Sequence, residues 1–277
     1  MSLCVIDSGV GGFSVVRRLC ALRHSSAPIF YCADWAYAPY GCKSLESIQH
    51  RIVTIANWLG EQGIQRIVLG CHTASYALLS VGHPLIETMI DATVRSIVCQ
   101  KTVHGVVVLC TPLSFSHRHL LWDRIKKHNW DQPVYFVPCP YLAGFIEGQN
   151  WDAATHSVMN ALATVPHAFD RVVYGCTHYA LLHNRLPESM QAIMIDPADY
   201  YDIDGVNGHS CDTSKCASSS VADQVTTLFY TGSVPTESVR HYVHSACRFI
   251  PVPSSVWNTN ESARAGCGPD QRSVECA

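Results

Sequence analysis

The sequence predicts an α/β protein whose mostly parallel sheets are covered by helices on both faces and divided between two similar halves. Two observations carry this. Short apolar runs alternate along the chain with stretches of helical period. One strand–turn–helix segment is also repeated about a hundred residues further on.

The apolar runs, in order, are Leu3–Ile6, Ile29–Cys32, Ile67–Leu69, Gly105–Cys110, Val134–Val137, Val172–Tyr174 and Ala192–Ile195, each leading into a polar or glycine-containing turn. Between them, Ser44–Gly60 and Thr155–Leu162 space their apolar residues near the helical period. Strands alternating with helices build βαβ units, and ligands gather at the carboxyl ends of such strands. Asp199–Ser220, with several Asp, Ser and Gly residues, reads as an inserted loop; Val221–Tyr230 resumes a helix-like pattern; and Pro251–Ala277 reads as a loosely ordered polar tail. The expected organisation is a first domain of residues 1–92 plus 199–250, a second of 93–198, and the tail 251–277.

The repeat is specific. Arg66–Leu79 reads RIVLGCHTASYALL, and Arg171–Leu182 reads RVVYGCTHYALL. Each has Arg, two β-branched residues, an apolar or aromatic residue, Gly-Cys, a Thr/His pair in either order, and a Tyr-Ala-Leu-Leu helix opening. A weaker echo pairs Val5–Ser14 with Val108–Ser116, both strands entering a polar turn. Two α/β halves facing one another across a cleft account for both echoes.

Composition narrows the class. With 48% apolar and 15% charged residues the chain suits a well-packed globular enzyme. A net charge of −3 and the lack of a basic cluster speak against nucleic acid or an anionic membrane as partner. The N-terminus enters a strand at once, without a signal-peptide pattern, and no apolar window is long enough to span a membrane, so a cytoplasmic location is expected. The 14 cysteines include no CxxC pair, so reduced thiols are expected rather than disulfides. Cys4, Cys20, Cys32, Cys99, Cys110 and Cys247 read as small buried hydrophobes. Cys211 and Cys216 with His209 lack a recognised zinc spacing, and His117 and His119 do not share a helix face. No metal is expected.

Cys71 and Cys176 are the exceptions. A cysteine directly after a buried strand and opening a helix sits at the positive end of the helix dipole, where its pKa is expected to fall. One such residue could be a nucleophile, a ligand or a base. Two in matched halves suggest acid/base groups on opposite faces of one substrate carbon, one ionised and one protonated, with the roles exchanged in the reverse reaction. Such chemistry needs no cofactor if donors stabilise the carbanion-like intermediate at its carboxylate. The Thr73 and Thr177 hydroxyls and nearby backbone amides suit that purpose.

DSGVGGFSV (Asp7–Val15), ADWAYAPYG (Ala33–Gly41), GCHTAS (Gly70–Ser75), CPYLAGFIEG (Cys139–Gly148) and GCTHYALL (Gly175–Leu182) together resemble the glutamate racemases of the aspartate/glutamate racemase superfamily, in that family's order. The resemblance runs from about residue 3 to 198 and resumes near Val221–Ser233. It implies two flavodoxin-like, doubly wound domains in pseudo-symmetric arrangement with the active site between them. It also implies D-glutamate supply for peptidoglycan synthesis, and with it cell-wall biogenesis and cell shape. Cys71 and Cys176 match the proton-transfer residues, and Asp7, Glu147 and His178 match residues that tune thiol protonation. Asp7, Ser8, Pro39, Tyr40, Gly41, His72, Thr73, Thr111, Thr177 and His178 fall at substrate-binding positions. The implied partner is an acidic amino acid; the sequence leaves room for a homodimer without fixing the oligomeric state.

Three positions depart from the family pattern. His72 stands where the family has asparagine, Ala180 where it has proline, and His119 near a position that is usually tyrosine. His72 is bulkier than asparagine and can become charged, which admits aspartate or another amino acid as substrate, or a binding protein with impaired turnover. A hydrolase using one Cys–His pair is a further alternative. Read singly, Asp7 is as well explained as a helix cap, Glu147 as a solvated charge and His178 as a core histidine.

Overall fold

The computed structural model describes residues 2–22, 29–201, 225–234, 239, 243 and 247–257. Its strands form two wholly parallel sheets. The first contains β1 (Leu3–Asp7), β2 (Ile29–Ala33), β3 (Arg66–Leu69), β4 (Ile86–Thr88), β9 (Val225–Tyr230) and β10 (Arg248–Pro251), in the order β10-β9-β2-β1-β3-β4. The second contains β5 (Val106–Cys110), β6 (Val134–Pro138), β7 (Arg171–Gly175) and β8 (Met194–Ile195), in the order β6-β5-β7-β8. Setting β5, β6, β7 and β8 on β1, β2, β3 and β4 reproduces the same strand order. The two echoes in the sequence are therefore topologically equivalent strand–turn–helix units.

Alternating burial explains why both sheets are covered. In β1, Leu3 and Val5 enter one apolar cluster while Cys4 and Ile6 enter another on the opposite face. In β5, Val107 and Leu109 divide from Val106 and Val108 in the same way. Strands buried on both faces read as continuous apolar runs, which is why they were legible.

The helices relevant here are α1 (Gly12–Leu22), α2 (Leu45–Glu61), α3 (His72–Leu78), α4 (Met89–Val98), α5 (Pro112–Ser116), α6 (Arg118–Lys126), α7 (Leu142–Glu147), α8 (Trp151–Ala163) and α9 (Thr177–Ala180). The stretch expected from Ser44 begins as a helix because the Ser44 hydroxyl caps it, accepting from the Ser47 amide at 3.1 Å. Among the described residues no helix is long and apolar enough to cross a membrane.

Several expectations need correction. Residues 225–230 are a strand, not a helix: Val-Thr-Thr-Leu-Phe-Tyr is β-branched and aromatic, and it pairs with β2. The three-residue β4 went unread because it is too short to show a period. The segment after β10 is structured as far as Trp257, with Val252 buried and a helical turn over Ser254–Trp257. Cys4, Cys32, Cys110 and Cys247 are buried as expected, whereas Cys20 is half-buried and Cys99, just after α4, is exposed. His209, Cys211 and Cys216, with the rest of the insertion beyond Tyr201, lie outside the described residues, as do residues 258–277.

Candidate active site

Each Gly-Cys turn lies at the carboxyl end of a strand next to the centre of its own half. Cys71 follows β3 and precedes α3; Cys176 follows β7 and precedes α9. The glycine before Cys176 is required by close packing, since a Cβ on Gly175 would lie 2.4 Å from the Leu109 carbonyl oxygen. Both cysteines are buried, at 7% and 8% exposure.

Burial decides the acidity of Cys71. Desolvation, followed by the nearby Asp7 charge, pushes its thiol well above the ordinary value, and the Ala74 amide and Ser8 hydroxyl pull only partly the other way. This overturns the expected lowering at that position. Helix α3 has seven residues, so its dipole is small against the loss of water around a buried thiolate. The Ser8 hydroxyl lies 3.7 Å from Cys71 Sγ. A charge on Cys176 also raises the Cys71 thiol, which places the two sulfurs in one electrostatic environment.

Each sulfur has acid–base company. Asp7, the last residue of β1, is fully buried; it accepts from the Gly9 amide at 3.0 Å and from the Thr177 hydroxyl at 3.1 Å. Its pKa is raised by burial, against the opposing pull of His178 and of these hydrogen bonds. On the other side, Cys176 Sγ lies 3.8 Å from His178 Nδ1, and His178 Nε2 lies 2.6 Å from Glu147 Oε1. Burial alone would lower the His178 pKa, but Glu147 carries it well above the ordinary value. Glu147 is lowered in turn: desolvation opposes ionisation, and His178 with the Val10 amide outweighs it. With Cys176 ionised, Glu147 and the thiolate both favour the charged His178 ring, and the two side chains then form an imidazolium–carboxylate pair.

The halves interlock around this site. The Ser8–Gly12 turn runs against α9, and a Cβ on Gly11 would lie 2.6 Å from Thr177 Oγ1 and 2.8 Å from the His178 amide nitrogen. Ser14 donates to the Thr177 carbonyl at 3.3 Å, and Val10 N–H to Glu147 at 3.3 Å. The Thr73 and Thr111 hydroxyls meet at 3.2 Å, so residues of both halves close the space between the two turns.

The Pro39-Tyr40-Gly41 turn is held by a group that sequence reasoning missed. Asp34, fully buried after β2, accepts from Tyr40 OH at 2.8 Å, from both Arg51 Nε (2.8 Å) and Nη2, and from Thr231 Oγ1. Its amide donates to the Asp7 carbonyl at 2.9 Å. An acid directly after an apolar strand, as at Asp7, was the available signal. Tyr40 is buried while Pro39 and Gly41 are exposed.

His72 is turned to α4. Thr93 spends its own proton on the Met89 carbonyl at 2.8 Å, so His72 Nε2–H is the donor in the 3.1 Å bond to Thr93 Oγ1. Among the described residues His72 Nδ1 is buried without a hydrogen-bond partner, and desolvation lowers the ring pKa to about 3. The ring is neutral. His117 and His119 neighbour each other at a 6.4 Å ring separation, and no group of three or more metal-ligating residues occurs among the described residues.

Known proteins agree with this architecture. No family model matches the chain. The chain is 34% identical over 199 residues to a glutamate racemase of Pseudomonas aeruginosa strain UCBPP-PA14, covering 69% of this chain and 74% of that one. It is 31% identical over 204 residues to one from Lactobacillus helveticus, covering 70% and 75%. The chain belongs to the aspartate/glutamate racemase superfamily. This racemase, an isomerase of amino acids by family, shares its fold with the Francisella tularensis glutamate racemase solved with D-glutamate (TM-score 0.72, 20% identity, covering 91% and 97%). It shares it also with a Bacillus anthracis glutamate racemase (0.69, 21%, covering 91% and 97%) and, more distantly, with an aspartate racemase of Picrophilus torridus (0.54, 16%, covering 72% and 90%).

Proposed function

We propose that this racemase interconverts L- and D-glutamate by two-base proton transfer between Cys71 and Cys176, making D-glutamate in the cytoplasm for peptidoglycan. The observation that carries this is the placement of a cysteine at equivalent turns of both halves, each with its own acid–base partner: Asp7 in the first, the His178–Glu147 pair in the second. One thiolate removes the α-proton and the opposite thiol returns a proton to the other face. Thr73, Thr177 and the backbone amides at the two helix starts stabilise the carbanion-like intermediate at its α-carboxylate. Ser8, Tyr40, Gly41 and Thr111 orient the remaining groups, and this reading uses no cofactor. The names of the Pseudomonas and Lactobacillus relatives support glutamate as the substrate.

One observation favours a second reading. His72 replaces the family's asparagine with a ring whose donor is committed to Thr93, which leaves one donor fewer for the substrate and admits aspartate or another amino acid.

The test is a screen for solvent deuterium entering the α-carbon of acidic amino acids in D2O. Glutamate is expected to exchange and racemise, and Cys71→Ala and Cys176→Ala each to abolish racemisation. Exchange of aspartate alone moves the conclusion to the second reading; no exchange with any amino acid sinks both.

A further inference from the structure

The two proton-handling sides have unequal access to solvent. Asp7 is fully buried and both its oxygens are engaged, by the Gly9 amide and the Thr177 hydroxyl. Glu147 holds His178 and the Val10 amide with Oε1 alone, and its side chain is 38% exposed. It opens onto a cavity of about 340 Å³ lined by Val10, Arg17, Glu147, Gln149, Ala180 and Asn184 among others. Neither cysteine lines that cavity, and neither does any residue at the substrate-binding positions. A space of this size has room for roughly ten waters.

We propose that Glu147 is a proton port, passing protons through His178 between this cavity and Cys176 without opening the substrate side of the cleft. The inference rests on Cys176 being one of the two proton-transfer residues. A two-base racemase leaves each turnover with its thiols in the mirror-image protonation state, and both must be reset before the same enantiomer can react again. On the outward stroke His178 starts neutral, with its one ring proton on Nε2 toward Glu147; the proton leaves Cys176 Sγ for the bare Nδ1, and the Nε2 proton passes to Glu147 Oε1. A water in the cavity then takes the proton from Glu147. Thiol becomes thiolate, water becomes hydronium, and the inward stroke runs the same steps backwards. The chain is continuous, at 3.8 Å and 2.6 Å. Among the described residues Cys71 has no matching route, because its neighbour Asp7 is sealed, so its thiol is reset from the substrate side when the cleft exchanges its ligand. Glu147 acts here as a positioning and relay residue and touches no substrate.

The experiment is chemical rescue of Glu147→Ala with imidazole, a proton carrier small enough for the cavity. At saturating substrate, turnover is expected to fall on the order of 10²-fold, the low end of what positioned proton transfer contributes. Imidazole should then restore it with a saturating concentration dependence while leaving wild type unaffected. A folded Glu147→Ala protein that turns over like wild type, or that is slow and unrescued, overturns the port. Asn184→Trp, which fills the cavity without touching the Glu147–His178 bond, provides a second arm. It should lower kcat at constant KM and enlarge the solvent deuterium isotope effect, and an unchanged kcat overturns the port as well. Wild type that washes no deuterium into any α-carbon removes the proton-transfer reading and the port with it. Exchange by wild type with failed rescue removes the port alone.

Discussion

Thr177 Oγ1 donates to Asp7 Oδ2 at 3.1 Å, so a hydroxyl next to one cysteine holds a carboxylate whose charge acts on the other. That bond joins residues 170 positions apart and favours the ionised form of a carboxylate whose pKa burial raises. Hydrogen bonds to charged groups contribute about 1.5 kcal/mol or somewhat more, close to one pKa unit. Thr177→Val therefore raises the Asp7 pKa further. If the Asp7 carboxylate takes the Cys71 proton, the acid limb of the kcat/KM profile shifts to higher pH by about one unit. Thr177→Ser, which keeps the hydroxyl, should return the limb to its place; a profile that Thr177→Val leaves unmoved detaches Asp7 from the reaction.

Asp34 and Arg51 make a second prediction. Both are buried, at 0% and 6% exposure, and the carboxylate also carries Tyr40 and Thr231. Removing one partner of a buried ion pair costs about 3–5 kcal/mol because the other charge is left stranded. Arg51→Met should lower stability by that amount, read as a shift in the denaturant midpoint. Tyr40→Phe removes only one hydrogen bond and should cost about 1–3 kcal/mol, with the kinetic effect concentrated in KM.

Gly11 makes a third. An added Cβ would meet Thr177 Oγ1 at 2.6 Å, His178 Nδ1 at 2.7 Å and the His178 amide nitrogen at 2.8 Å, two of them atoms with little freedom to move. Gly11→Ala must push α9 away from the Ser8–Gly12 turn. Overpacking of this kind costs about 1–3 kcal/mol. Misplacing reacting groups by an ångström costs on the order of 10²-fold in rate. Steady-state kinetics should show kcat falling more than stability would explain; wild-type kcat would show that the halves need not meet so closely.

These contacts mark the limit of what could be read from the sequence. The buried parallel strands announced themselves because both faces are apolar, and the Gly-Cys turns because they repeat. Residues 225–230 read as helix because Val221, Val225, Leu228 and Phe229 fall at i, i+4, i+7 and i+8 while Thr226 and Thr227 interrupt the apolar run, and only the pairing with β2 decides for a strand. The Thr73–Thr111, Asp7–Thr177 and Asp34–Arg51 bonds join residues whose proximity is created by folding, so no local spacing announces them. The acidity of Cys71 was misjudged for a related reason. Its place before a helix was visible, and the depth of its burial was not.

His72 shows the same effect in a form that can be titrated. Its ring is 3% exposed and its pKa is lowered to about 3 by desolvation, against 6.5 for the ordinary group. Between those values the unfolded chain binds a proton that the folded protein refuses. Stability contributed by the neutral ring is therefore complete above about pH 6.5 and is lost as pH falls toward 3, by about 1.4 kcal/mol for each unit. His72→Asn removes the titrating group and restores the side chain type of the family pattern. Denaturant midpoints measured from pH 7 to pH 4 should fall more steeply for wild type than for His72→Asn. Equal slopes would mean that the buried ring takes up its proton without loss, through an acceptor beyond Thr93.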